Sequence, residues 1–248
     1  MTSVVPRASA LLLPALGTLL AAELLVSACG DSPSAADGGA SDAGSDAAVV
    51  GDNVRPPTGT GNTLVDRLGS AAAKCGSQSS LTVPGGWQLT AIGDKGCMVH
   101  VPPGWKVAGA FGPTVSAFRD DTGSEGFVGL AGAAQASACN PVAVRDGVLQ
   151  GFVENGYASP KVLWNAERNE PFGGSTWPTG HTVFSLTRGA TPLVGYLWLL
   201  TTQTVAACDV VGLGFWEPES AIEADTCTLT EIVQSVRCPS GGGKEDGG

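Results

Sequence analysis

The sequence predicts an α+β fold, an antiparallel β-sheet with helices packed on its faces. Three observations point there. Between residues 87 and 215, short apolar runs alternate with Gly, Pro and Asp, the punctuation of strands and turns. Two stretches break that pattern with helical spacing and cap residues of their own. Six cysteines scattered from 75 to 238 suit a disulfide-stapled domain outside the reducing cytosol.

The elements follow in chain order. Residues 1–28 carry an amino terminus plus Arg7, an apolar run from Ala10 to Val26, then Val26-Ser27-Ala28-Cys29-Gly30. That order reads as an export signal. A run of about 17 apolar residues holding Pro14 and Glu23 is short for a spanning helix, which needs about 20 with few charges. The small residues before Cys29 resemble the lipobox of bacterial lipoproteins, with Val26 where that family usually has Leu. The resemblance implies that the Cys29 thiol is diacylated and becomes the new N-terminus after cleavage. The alternative is a plain secretory signal cut near Ala28, leaving Cys29 as a seventh thiol.

Setting Cys29 aside leaves Cys75, Cys97, Cys139, Cys208, Cys227 and Cys238, an even set that suggests three disulfides. Six cysteines allow 15 pairings, and spacing does not choose among them. No Cys-x-x-Cys or Cys/His spacing supports a metal or redox site.

Residues 29–54 are nearly all Gly, Ser, Ala and Asp, too poor in large apolar side chains to offset their ordering entropy, and read as a flexible acidic tether. Its five Asp (31, 37, 42, 46 and 52) carry half of the chain's net charge of −10. The remaining domain is mildly acidic and offers no electrostatic footprint for nucleic acid. Residues 55–240 suit one domain with its own core, and 241–248 read as a flexible tail.

Within that domain Asn62–Cys75 reads as a short helix, capped by Asn62 or Thr63 and stopped by Gly76. Strands are expected near 87–91, 97–101, 105–109, 115–119, 126–131, 159–168, 181–188, 193–202 and 208–215. Asn140 through Asn155-Gly156 reads as a helix. Asn140 supplies the N-cap, Pro141 fits the first position, Val144, Val148 and Phe152 share a face, and Gly156 supplies the stop. Pro218–Val236 has helical spacing with acids at its start, where Glu217, Glu219 and Glu223 suit a helix N-terminus. Thr226, Thr228 and Thr230 weaken it, so a late start or a break is expected.

The stretches LTVPGGWQL and VHVPPGWKV lie eighteen residues apart. The flanks diverge beyond Trp87 and Trp105, so the pair reads as one turn used twice, not as a stacking repeat. Type II turns are expected at Val83-Pro84-Gly85-Gly86 and Pro102-Pro103-Gly104-Trp105, each delivering its Trp into a strand.

Taken in order, Trp87, Asp94-Lys95-Gly96, the run Val99 to Trp105, the helix from Pro141 to Glu154 and the terminal run to Val236 resemble the PsbP-like domains of DcrB- and LpqN-type lipoproteins. The resemblance covers most of 85–238 and implies an α/β/α sandwich. It also implies an accessory or binding role, docking on a larger assembly or holding a lipid, and no functional residue set transfers with it.

Chemistry is sparse. Gly173-Gly174-Ser175-Thr176-Trp177 lacks the last Gly of a nucleophile elbow. His100 sits among apolar strand positions and reads as a hydrogen-bonded sheet residue, whereas His181 follows Pro178-Thr179-Gly180 and reads as an exposed loop residue. Asp120 to Glu125 has the oxygens to begin a calcium loop but lacks its spaced acids, and reads as a solvated hairpin turn. No catalytic residue, metal ligand or cofactor is assigned. The most site-like segment is Asn169–Thr182, expected as a long Gly/Pro loop carrying Phe172, Trp177 and His181 as binding candidates, or folding its rings over an open end of the sheet.

The expected protein is therefore a non-enzymatic binding or docking module of the cell envelope. It would be lipid-anchored through Cys29 outside the cytoplasm, on the outer membrane, and face an envelope protein. The alternatives are a carrier of a small apolar molecule or lipid, and an envelope hydrolase with an unrecognised site.

Overall fold

The structure is a computed structural model that describes residues 47–49, 54–76, 82–108, 111, 115–134, 139–172, 175–203 and 208–239. The expected signal, Cys29, most of the expected tether and the tail lie outside the described residues. In chain order the elements are β1 (Ala47–Val49), α1 (Thr63–Ala72), β2 (Gln88–Ile92), β3 (Cys97–Val101), β4 (Lys106–Val107), β5 (Val115–Arg119) and β6 (Gly126–Ala134). There follow α2 (Pro141–Glu154), β7 (Ala158–Phe172), β8 (Ser175–Arg188), β9 (Thr191–Gln203), β10 (Cys208–Pro218), α3 (Ile222–Gln234) and β11 (Arg237–Pro239).

Seven strands form one antiparallel sheet in the order β4-β5-β6-β10-β9-β8-β7, and four form a second in the order β1-β11-β3-β2. The central strands of the larger sheet read as near-continuous apolar runs because both of their faces are covered. Along β9, Val194, Tyr196, Trp198 and Leu200 face a core shared with α1, α3 and the small sheet. The alternate residues Leu193, Leu197 and Leu199 face a second core with Val148, Leu149 and Phe152 of α2. This is the α+β architecture expected, a sheet between helical layers. Glycines let its layers close: a Cβ on Gly126 would lie 2.0 Å from the Trp216 ring, and one on Gly195 would lie 2.3 Å from Phe184.

The helices begin where side chains satisfy their first amides. Asn62 Oδ1 accepts from the Leu64 and Val65 amides at 3.1 and 3.3 Å, and Asn140 Oδ1 accepts from Ala143 at 2.8 Å with Pro141 next to it. Past the end of α2, Gly156 takes φ +83°. Helix α3 starts late, at Ile222, and runs unbroken through its threonines. Thr226 Oγ1 donates to the Ile222 carbonyl one turn back, so the competing hydroxyl is absorbed by the helix.

The repeated turn is real, with one correction in register. It closes from the Trp87 amide to the Pro84 carbonyl at 3.4 Å and from Trp105 to Pro102 at 3.3 Å. The first turn is therefore Pro84-Gly85-Gly86-Trp87, one residue later than expected, and the two copies are equivalent. Gly86 and Gly104 supply the positive φ, +89° and +86°, that the third position of a type II turn requires. Both Trp rings pack, partly buried, on the core beneath α1 and α3.

A second correction concerns the tether. Ala47–Val49 falls inside the stretch assigned to it, yet forms β1 against β11, with Ala48 opposite Cys238. The run Ala47-Ala48-Val49-Val50 is the most apolar part of that segment, and an edge on the small sheet is available to it.

Of the 15 possible pairings, one is present. Cys75–Cys227 ties α1 to α3, Cys97–Cys238 ties β3 to β11, and Cys139–Cys208 ties the approach to α2 to β10. Every cysteine downstream of Cys29 is thereby used. Among the described residues, no helix is long and apolar enough to cross a membrane.

Candidate functional site

The site is built on the β7–β8 hairpin. The segment Asn169–Thr182 is not the long loop expected of its Gly and Pro content: β7 runs to Phe172, β8 starts at Ser175, and the two pair residue by residue from Phe172↔Ser175 to Arg168↔Thr179. Proline is tolerated here for positional reasons. Pro171 lies on the sheet's edge strand, and Pro178 lies just beyond Thr179, where the pairing of β8 with β9 begins. The hairpin end is thus two-stranded. Trp177 Nε1 donates to the Phe172 carbonyl at 3.2 Å, and both rings pack, partly buried, against the core.

His181 lies deeper, opposite Ala166 on one side and Trp198 on the other. It is 2% exposed, not the exposed loop residue expected, because a strand flanks it on either side where a loop would leave it free. Its Nδ1 meets the Tyr196 hydroxyl at 2.8 Å and its Nε2 meets Glu170 Oε1 at 2.8 Å. The other oxygen of Glu170 accepts from Trp198 Nε1 at 3.0 Å. The proton placement that satisfies every atom puts hydrogen on Nε2, donating to Glu170, and lets the Tyr196 hydroxyl donate to Nδ1. Burial pushes the Glu170 carboxyl up, but the bonds from His181 and Trp198 and the charge of Arg168 outweigh it and leave it below the usual range. Burial holds the Tyr196 phenol well above its ordinary value.

His181 and Glu170 of this network form part of one wall of a cavity of about 350 Å³. The opposite wall is residues 55–58, which precede α1, together with Gly69 and Ala73 of α1 and its end. Trp164 and Arg168 of β7 complete the lining. The volume is at the lower end of small-molecule sites, which span roughly 300–1,000 Å³.

Chemically, the network is a set of mutually satisfied hydrogen bonds. Both nitrogens of His181 and both oxygens of Glu170 are engaged, which fixes the two side chains in one orientation. His100 stands apart in β3, on the smaller sheet, with its ring Nδ1 buried and without a partner. The Asp120–Glu125 turn spends its carboxylate on itself, since Asp120 accepts from Thr122 and from the Glu125 amide. Among the described residues no cluster of three or more His, Cys, Asp or Glu could hold a metal ion.

The acids near α3 differ from their expected role. Glu217 is not a helix-start acid but the buried end of β10, with Oε1 2.6 Å from the Thr226 hydroxyl and Oε2 without a partner. Burial pushes its carboxyl up to about 8, and Glu125 rises to about 7 through burial and the neighbouring Asp225. Glu223 does occupy the first turn of α3, where its hydrogen bond with Arg67 lowers it to about 2.

Of the binding candidates, the structure therefore brings His181 to the cavity and leaves Phe172 and Trp177 at the hairpin end. Sequence reasoning missed Glu170, Arg168, Trp164 and Arg55. The signal for three of them was present: extending the strand through 172 puts 164, 168 and 170 on one face by alternation.

No family model and no curated protein matches the chain. Among solved structures, the chain is similar to a mutant of the protein Mog1, at 14% identity and TM-score 0.37 over 62% of this chain and 96% of that one. It is similar to the Saccharomyces cerevisiae Ran-binding protein Mog1p, at 15% identity and TM-score 0.35 over 60% and 95%. A third is LpqN of Mycobacterium tuberculosis, involved in cell envelope biogenesis, at 15% identity and TM-score 0.29 over 64% and 83%. Likeness at this level carries no function across, and the fold class rests on the strand pairing described above.

Proposed function

We propose that this protein is a non-enzymatic binding module of the cell envelope, lipid-anchored through Cys29 to the outer membrane by the acidic tether, with the hairpin cavity as its site. The observation that carries the reading is the cavity of about 350 Å³ lined by His181 and Glu170, which buried hydrogen bonds to each other and to Tyr196 and Trp198 hold in place. Export is supported by the three disulfides, which persist in oxidising compartments and leave no downstream cysteine for Cys29. Because the lining is mainly polar, a small polar molecule fits better than the lipid that the family resemblance implies.

The test is native mass spectrometry of the Cys29→Ala form secreted from its own host, with thiols counted on the same sample. Extra mass that leaves on denaturation, together with no free thiol, is the expected result. A bare chain refutes the carrier reading and returns the search to a protein partner at the hairpin end.

A further inference from the structure

We propose that the cavity binds the oxyanion, carboxylate or phosphate, of a small organic molecule, with Arg55 and Arg168 as its two clamps. This rests on the binding reading above and names the ligand class for that same site.

The two arginines reach the cavity from opposite walls, Arg55 from the segment before α1 and Arg168 from β7. Among the described residues neither belongs to a salt bridge. Glu170 is the one carboxylate in the lining, and its oxygens are already occupied by His181 and Trp198. The wall therefore carries two guanidinium charges against one committed carboxylate, in a chain whose net charge is −10. An excess of positive charge gathered in a concave site on an acidic protein favours an anion there.

Arg55 gives the sharper indication. Its Nη2 donates to the Gly76 carbonyl at 2.6 Å, which anchors the guanidinium beside the end of α1, while its Nε is buried with no acceptor. A buried donor without a partner is rare in a folded protein, and a bound oxyanion would satisfy it. The clamp is also held in advance. A Cβ on Gly69 would lie 1.9 Å from the Pro57 carbonyl oxygen, so α1 and the arginine-bearing segment touch directly. Cys75–Cys227 fixes the end of α1 where Arg55 is anchored. Preorganised donors lose little freedom when a ligand arrives. Trp164 lines the same cavity and offers apolar surface to the remainder of the molecule.

The experiment uses the full secreted chain carrying Cys29→Ala. Sodium phosphate and disodium succinate are titrated against sodium chloride of equal ionic strength, with melting temperature and titration heat as readouts. Phosphate or succinate is expected to raise the melting temperature where chloride does not. Arg168→Gln, at an exposed edge-strand position, is expected to weaken that binding by about tenfold or more, as is Arg55→Gln. Arg168→Gln alone decides the matter if Arg55→Gln does not fold. Absence of any anion-specific shift, or binding that survives in Arg168→Gln, overturns the proposal.

The failure of the underlying reading looks different. A host-derived mass retained equally by wild type and Arg168→Gln leaves the binding module standing and removes the anion assignment. A bare chain that nonetheless takes phosphate in an Arg168-dependent manner supports the cavity's chemistry and removes the carrier role.

Discussion

Replacing Glu217 with Gln should stabilise the protein at neutral pH, and the amount follows from where the side chain sits. Glu217 is fully buried, its Oε1 shares one hydrogen bond with the Thr226 hydroxyl, and its Oε2 has no partner. Burial raises its carboxyl from 4.5 to about 8. Below pH 4.5 the group is protonated in both folded and unfolded chains and contributes no pH dependence. Between 4.5 and 8 the unfolded chain releases a proton that the folded one keeps, so stability falls as pH rises, by about 1.4 kcal/mol per unit. At pH 7 the accumulated loss is about 3 kcal/mol, and it levels off above 8. The amide introduced by Glu217→Gln keeps a hydrogen-bonding group beside Thr226 and cannot ionise. Urea unfolding with disulfides intact, at pH 4.5, 6, 7 and 8, should show the variant within about 1 kcal/mol of wild type at pH 4.5 and about 3 kcal/mol more stable at pH 7. A residual decline up to pH 7 should remain in the variant, because Glu125 is raised to about 7. A wild-type stability that is flat or rising from pH 5 to 8, or a variant less stable at pH 7, would refute the argument that burial keeps Glu217 protonated.

Three further outcomes are expected. Glu170→Gln removes a carboxylate whose ionised form the fold prefers; it should lower stability at pH 7 by about 1–2 kcal/mol. Since the Glu170 carboxyl is lowered, its contribution is present above pH 4.5 and lost as pH falls through the folded value, so the variant's acid unfolding limb should be shallower than wild type. Trp177→Ala should cost about 1–2 kcal/mol while leaving cavity binding in place, because its ring packs on the core and bonds the Phe172 carbonyl; loss of partner capture with unchanged melting would instead mark the hairpin end as a docking surface. Removing Cys97 and Cys238 together should cost about 2–5 kcal/mol, since that bridge spans 141 residues and closes the small sheet. Thermal unfolding reads it, and non-reducing peptide mapping should return the pairs 75–227, 97–238 and 139–208.

Which parts are legible in the sequence follows from the range of the interactions involved. Asn140-Pro141 and Asn155-Gly156 mark the ends of α2 because caps act on amides within three residues, so the signal and the structure are the same short stretch. Strands at 97–101 and 115–119 are equally plain, since turn residues bound them on both sides. The hairpin escapes such reading because Gly and Pro in 169–182 signal a loop locally, and only the edge position of β7 and the late start of β8–β9 pairing make them acceptable in strands. With that stretch taken as loop, Glu170 has no face, and its meeting with His181 and Trp198 is invisible.

Residue content by itself determined the even cysteine set, the acidic balance, the ends of α2 and the α+β class. All of these rest on composition or on contacts a few residues apart. Tertiary structure alone decided which cysteines pair, which acids are buried and which arginines share a cavity. Cys75 and Cys227 stand 152 positions apart and meet only because α1 packs on α3. Arg55 and Arg168 line one cavity only because that packing sets α1 against the far end of a seven-stranded sheet.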